Sequence, residues 1–450
     1  MTRPPSKAAD LSKLVAIVVV AALVAGAGWW LLASRGGAGG SVDGLVHYQG
    51  DDTYSVQLGP GGWFVHSDDE GGYLVEHALD GGAWQLPSWG RPEALTSDGR
   101  SISSLGGDVT VSGDGTRVEA TGADLLVAHG DKALRAGETA QVVGLSARHV
   151  AVASCFSADG QARVGEHGTG GELVLSGVAL DDGTVTWSHD PGVACDADLA
   201  TLYPTALPEQ RYALLTPSPD RTEALDLDTG EIARTWQDSP RGRVVVREDV
   251  AVHRSGDEVT ATSLRSGREV ARVSCRGARL DTPGDSGGRL AADATPLVRC
   301  GDSVRLFDGS GFVTVQAPPV DESQEVPDGR SVVHDRYLLR RDGSRVTITD
   351  AMSGTDVGSV EVPEGMRIAT NEPRGRLIVF YRTREAVFGD RLSSSQRIVD
   401  ARTATMVATT DDGMSPGAHA SPDGYAVLSK RTERRRSRPP RDFVWVVGVR

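Results

Sequence analysis

The sequence predicts an all-β fold, a β-propeller of seven or eight blades preceded by one N-terminal transmembrane helix. Three observations predict it. Short stretches rich in Val, Leu and Ile are separated by Asp-Gly, Ser-Gly and Gly-Gly turns, the pattern of many-stranded β proteins. One such stretch recurs at a fixed offset without a gap. A single uncharged run near the N-terminus is long enough to span a bilayer.

Taken in chain order, residues 1–13 form a short stub that carries Arg3, Lys7 and Lys13. Residues 14–33, from Leu14 to Ala33, read LVAIVVVAALVAGAGWWLLA, 20 residues without a charge. As a helix this run is about 30 Å long, the thickness of a hydrocarbon core. Only Arg35 follows it closely, so the bias of basic residues puts the stub in the cytoplasm and the rest of the chain outside. Trp29 and Trp30 lie near the outer end, where indole rings favour the interface. The competing reading is a signal peptide cleaved after Ala25-Gly26-Ala27; the apolar run continues through Trp29-Trp30-Leu31-Leu32, which favours a signal anchor. Residues 34–43, which include SRGGAGGS, form a flexible linker, and 44–450 form the extracytoplasmic domain. With 47 Lys and Arg against 61 Asp and Glu, the net charge is -14. That balance argues against nucleic acid as a partner, since phosphate binding needs a basic face.

The repeat sets the architecture. Residues 250–273, VAVHRSGDEVTATSLRSGREVARV, align with 337–360, YLLRRDGSRVTITDAMSGTDVGSV. Gly256 matches Gly343, Val259 matches Val346, Gly267 matches Gly354 and Val273 matches Val360, at one offset of 87. That is about two periods of 43 residues, and CGDSVRLFDGSGFVTV (300–315) supplies the intervening copy. Other copies are ALDGGAW (78–84), ALDDGTVTW (179–187), ALDLDTGEIARTW (224–236) and IVDARTATMVATT (398–410). Each is an alternating strand, a tight turn with Gly and a second alternating strand. Units of about 40–50 residues built on such hairpins are four-stranded propeller blades, and the length of the domain then suggests seven or eight of them.

The motif Ala179-Leu180-Asp181, Gly183, Trp187, repeated as Ala224-Leu225-Asp226, Gly230, Trp236, resembles the repeat of pyrroloquinoline-quinone-type β-propellers. The resemblance implies the propeller fold over roughly 44–450, with Trp187 and Trp236 in the blade core. Quinoprotein dehydrogenases of this type hold calcium with acidic and Asn ligands, and many cover the cofactor with a disulfide between adjacent cysteines. This chain has no adjacent cysteines and one Asn, Asn371, so no cofactor is expected.

Cys155, Cys195, Cys275 and Cys300 fall on the extracytoplasmic side, and the local pairs 155–195 and 275–300 are the expected bridges. Gly-Asp-Ser-Gly-Gly (284–288) resembles the nucleophile loop of trypsin-like proteases, with His149, Asp198 and Ser286 in the family's order. The repeat argues against a triad: 250–273 would lie inside the protease domain, yet it matches 337–360 outside it. Ser286 is therefore read as part of a Gly-rich loop between blades. His66, Asp68, Asp69, Glu70 and His77 gather near one turn, as divalent-ion ligands can, and Asp226 and Asp228 resemble the start of a calcium loop. Both patterns read better as hairpin turns, and no catalytic, metal or cofactor site is assigned.

Arg434, Arg435, Arg436, Arg438 and Arg441 cluster between YAVL and FVWVVGVR, on the loop of the last hairpin. They suit anionic lipid headgroups, a wall polymer or an acidic envelope protein. The apolar strand after them, 442–450, is expected to pair with strands from the N-terminal part of the domain, since a free hydrophobic edge invites aggregation. The expected function is a non-enzymatic binding or scaffolding propeller of the bacterial cell envelope. The alternatives are a quinone-dependent oxidoreductase and a serine hydrolase using Ser286.

Overall fold

The computed structural model describes residues 42–50, 56–67, 72–79, 83–86, 92–113, 115–131, 133–163, 170–195, 209–237, 243–281, 289–290, 294–320, 325–369, 375–385, 392–410, 419–420, 424–431 and 442–449. They form nine sheets, read here as blades 1 to 9 in chain order: 57–85, 94–120, 135–189, 212–236, 244–274, 279–315, 331–361, 367–410 and 419–448. Within each, consecutive strands pair antiparallel from the inner edge outward. Blade 4 has three strands among the described residues. Blade 5 gains an inner parallel strand, Arg289–Leu290, against Val244–Arg247.

The hydrophobic pattern explains the strands. In Glu258–Ser263 the side chains of Val259 and Ala261 are buried, and the repeat-related Val346 and Ile348 are buried in Arg345–Asp350. Alternation of this kind gives each blade two packing faces, and both are covered by neighbours. Nine apolar clusters occupy nine junctions. Val65 with Leu95 joins blades 1 and 2, Val111 with Val152 joins 2 and 3, and Leu175 with Leu215 joins 3 and 4. Tyr212 with Val246, Val252 with Val298 and Leu306 with Val333 continue to blade 7. Ile348 with Phe380 and Leu377 with Trp445 reach blade 9. The last cluster packs Val444 and Val446 on Phe64 and closes the ring from blade 9 to blade 1.

The expected seven or eight blades are thus corrected to nine. The missed unit is blade 2, whose third and fourth strands meet at Gly113 and Thr116 without Ala-Leu-Asp or Trp. The outer strand of blade 9 is Val46–Gly50, which pairs with Asp442–Gly448, so the two ends of the domain share one sheet. The strand before it, Val42–Gly44, lies outside blade 8 against Thr405–Thr410. Among the described residues no helix is long and apolar enough to cross a membrane, and 14–33 lies outside them.

Antiparallel pairing divides the turns between two faces. One, the connection face, carries the links between blades and the turn between second and third strands. The opposite, turn face carries the two remaining turns of each blade. The helix Gly122–His129 links blades 2 and 3 on the connection face. A capping box starts it, with Thr121 and Asp124 satisfying each other's backbone N–H, and Gly130 in the left-handed region ends it.

Candidate functional site

The polar side chains with chemical potential meet mainly at the junctions between blades. On the turn face, Ser146 Oγ of blade 3 donates to Asp228 Oδ1 of blade 4 at 2.8 Å, and His149 Nδ1 lies 3.4 Å from the same oxygen. His149 thus faces Asp228; Asp198, the acid of the triad alternative, lies outside the described residues. Ser146 is bonded to the carboxylate itself, so His149 does not stand between a hydroxyl and an acid as a nucleophile's base must.

Ser286 also lies outside the described residues. Gly-Asp-Ser-Gly-Gly falls between Arg279–Asp281 and Leu297–Cys300, which pair antiparallel within blade 6. In the sequence it stands between a strand of blade 6 and a strand on blade 5. The segment immediately after it, Arg289–Leu290, pairs with the inner strand of blade 5.

The calcium-like pair is likewise taken up by other partners. Asp226 Oδ2 accepts from Arg211 Nε and Nη2 at 2.9 and 2.6 Å, and its Oδ1 accepts the Asp228 N–H at 3.0 Å. Asp228 is turned to blade 3 instead. His66 and His77 diverge. His66 Nε2 is 3.1 Å from Glu76 Oε2 and its Nδ1 is 3.3 Å from the Tyr48 hydroxyl, whereas His77 Nε2 contacts the Gly61 carbonyl at 3.0 Å. Asp68, Asp69 and Glu70 lie outside the described residues. Among the described residues no group of three His, Cys, Asp or Glu side chains is placed to hold a metal ion.

Three arrangements were not read from the sequence. The first is the Tyr48–His66–Glu76 chain, which crosses from the outer strand of blade 9 to blade 1. The second is a repeated Arg–Asp pair. Arg336 Nη2 meets Asp350 Oδ2 at 2.5 Å, and Arg376 meets both oxygens of Asp400 at 2.8 and 2.7 Å, whereas Arg211 meets Asp226 through Oδ2 alone. Burial works to raise the Asp400 pKa, but Arg376, Thr403 and the Arg402 N–H outweigh it and hold the carboxyl below its ordinary range. The third is a basic nest around His253, whose ring lies 5.9 Å from Trp236. Burial, then Arg234, Arg243 and Arg254, push its pKa down to about 4. The Arg–Asp pairs are brought together by pairing of consecutive strands and the other two arrangements by packing of neighbouring blades; in the sequence His66, Trp236 and the Asp residues stood out, but not their partners.

The cysteines form the bridges Cys155–Cys195 and Cys275–Cys300. Arg434, Arg435, Arg436, Arg438 and Arg441 lie outside the described residues, as does Asn371. The described residues do not fit a quinone cofactor. Both disulfides join distant positions, with separations of 40 and 25 residues. Trp187 is packed between blades, its Nε1 donating to the Leu227 carbonyl at 2.9 Å, so its ring is unavailable for stacking on a ligand.

Three solved structures are similar. BamB from Moraxella catarrhalis is 10% identical with a TM-score of 0.39, over 91% of this chain and 98% of that one. Quinohemoprotein alcohol dehydrogenase from Comamonas testosteroni is 12% identical with a TM-score of 0.36, over 90% of this chain and 76% of that one. The WD40 domain of SCAP from fission yeast is 10% identical with a TM-score of 0.35, over 91% of this chain and 98% of that one. No protein-family model and no curated protein matches the chain. At such identities a likeness extends to fold alone. The nine sheets and nine junctions establish the β-propeller on their own.

Proposed function

We propose that this chain is a non-enzymatic binding or scaffolding propeller of the bacterial cell envelope. Residues 14–33 act as its signal anchor, and 44–450 stand outside the cytoplasm. One observation carries the reading: side chains that resemble catalytic or metal-binding groups serve as fasteners between blades. Ser146 and His149 hold Asp228 of the next blade, and Tyr48 and Glu76 hold His66 across the ring closure. A ring fastened in this way offers two broad, rigid faces to a partner. The two disulfides accord with an oxidising compartment. Arg434, Arg435, Arg436, Arg438 and Arg441 are the proposed contact for anionic headgroups, a wall polymer or an acidic protein.

The test is capture from native membranes with the tagged full-length chain, alongside a variant with these five arginines changed to Gln. A defined envelope component retained at low salt, and lost from the variant, is expected. A purified chain that releases a bound quinone, or a fluorophosphonate label lost in Ser286→Ala, would replace this reading with an enzymatic one.

A further inference from the structure

We infer that the propeller lies with its connection face toward the bilayer, an orientation that rests on the anchoring proposed above. The first observation is where the N-terminal strand enters. Val42 stands opposite Thr410 and Gly44 opposite Ala408, so Val42–Gly44 runs antiparallel to the outer strand of blade 8. That outer strand ends on the connection face. The chain therefore arrives at the connection face, on the rim of blade 8, and descends to the turn face. It then climbs again as Val46–Gly50 beside blade 9.

Only residues 34–41 separate Val42 from the end of the apolar run. A segment of this length spans at most about 27 Å fully extended, and about 16 Å as a Gly-rich coil. Blades built from strands such as these are roughly 17–23 Å deep between faces. With the connection face toward the bilayer, a relaxed tether suffices. To reverse the ring, the tether would have to run down the whole rim, almost fully stretched, and lose most of its conformational freedom.

The second observation concerns exposed apolar side chains. Leu105 is 61% exposed and Val127 is 79% exposed, more than any other large hydrophobic residue among those described. Both open on the connection face: Leu105 at the turn between the second and third strands of blade 2, Val127 on the helix Gly122–His129. Leu45 and Leu79, on the turn face, are less exposed at 47% and 37%. Blades 2 and 3 lie across the ring from blade 8, so the tether and the apolar pair would rest on the bilayer at well-separated points. The hairpin closed by Arg431 and Asp442, which leads into the arginine-rich stretch, opens on the same face. That face also carries the exposed Asp124, Asp159, Asp220, Asp257, Asp302 and Asp342, so its charge is mixed and the orientation rests on the tether and the apolar pair.

The test uses the full chain in vesicles of equimolar phosphatidylcholine and phosphatidylglycerol. All four cysteines are paired, so a single added cysteine is a unique labelling site. A fluorophore is placed by Leu105→Cys, Val127→Cys or Asp181→Cys; Asp181 lies on the turn face of blade 3 with its side chain 94% exposed. With a headgroup-attached nitroxide lipid, labels at 105 and 127 should lose about half their emission, as for side chains dipping into the interface, while the label at 181 should stay bright. Stronger quenching at 181, or none at all three in protein that still floats with the vesicles, overturns the orientation alone. Full chain that does not float with the vesicles overturns the anchoring, and the orientation with it.

Discussion

His253 is a titratable group held where a charge is costly. Its ring lies beside Trp236 at the junction of blades 4 and 5, with Arg234, Arg243 and Arg254 around it. Burial comes first and the arginines second, and together they lower its pKa from 6.5 to about 4. Between those two values the unfolded chain binds more protons than the folded one. Stability is therefore full above pH 6.5 and is lost as pH falls toward 4, by at most about 3 kcal/mol from this group. His189 shifts the same way, chiefly through burial, so it adds to the slope. The carboxyls held low, Asp400 among them, act only at lower pH. Denaturation midpoints at pH 7, 6 and 5 should fall steadily in the wild type and fall less in His253→Gln. Equal slopes in the two proteins would refute the assignment. None of this was legible in the sequence, where His253 is one polar residue in an alternating strand; Arg234 reaches it from the preceding blade.

At the scale of elements, the turn that carries the repeat motif is also what docks one blade on the next. Gly230 has φ +74, and a Cβ there would meet the Trp187 ring of blade 3 at 2.7 Å. Gly267 occupies the equivalent turn of blade 5 with φ +68, but nothing lies within 4 Å of its Cβ position. The pair separates backbone strain from packing. Gly267→Ala should cost about 1–2 kcal/mol, for the left-handed backbone alone. Gly230→Ala should cost a further 1–3 kcal/mol or so, because the indole must shift and strain its bond to the Leu227 carbonyl. Urea denaturation of both variants measures the difference, and equal losses would mean that Trp187 does not lock the blades. The Asp, Gly and Trp of this motif are close in sequence, which is why the hairpins of blades 3 and 4 were legible. Blade 2 was not, because its turn at Gly113 and Thr116 satisfies the same backbone with no docking Trp. The Arg partners of Asp226, Asp350 and Asp400 were hidden for a different reason. They precede the acids by 15, 14 and 24 residues, so no fixed spacing exposes them.

At the scale of the whole molecule, closure of the ring decides whether nine weakly related blades unfold together. The pairing of the C-terminal strand with the start of the domain was legible, because an apolar strand at a chain end needs a covered edge. The polar part of the seam was not: Tyr48, His66 and Glu76 come from three strands of two blades. Asp442–Gly448 lies between Tyr425–Arg431 and Val46–Gly50, so its removal strips blade 9 of its centre and releases the N-terminal strand at once. Trp445 is fully buried against blade 8, and Val446 belongs to the cluster that joins blade 9 to Phe64 of blade 1. Each apolar side chain uncovered there forfeits about 1.5–3 kcal/mol, so the run from Phe443 to Val447 forfeits about 8–15 kcal/mol, comparable to the whole stability of a typical domain. Removal of 442–450 should therefore abolish the single cooperative transition and leave a broad, early melt. A gentler cut tests the seam itself. Tyr48→Phe removes only the hydroxyl that faces His66, and should lower the midpoint slightly while keeping one transition. Calorimetry distinguishes the two: a sharp transition near the wild-type temperature in the truncated chain would mean that blades 1 to 8 hold together without closure, and that the N-terminal strand does not seal the ring.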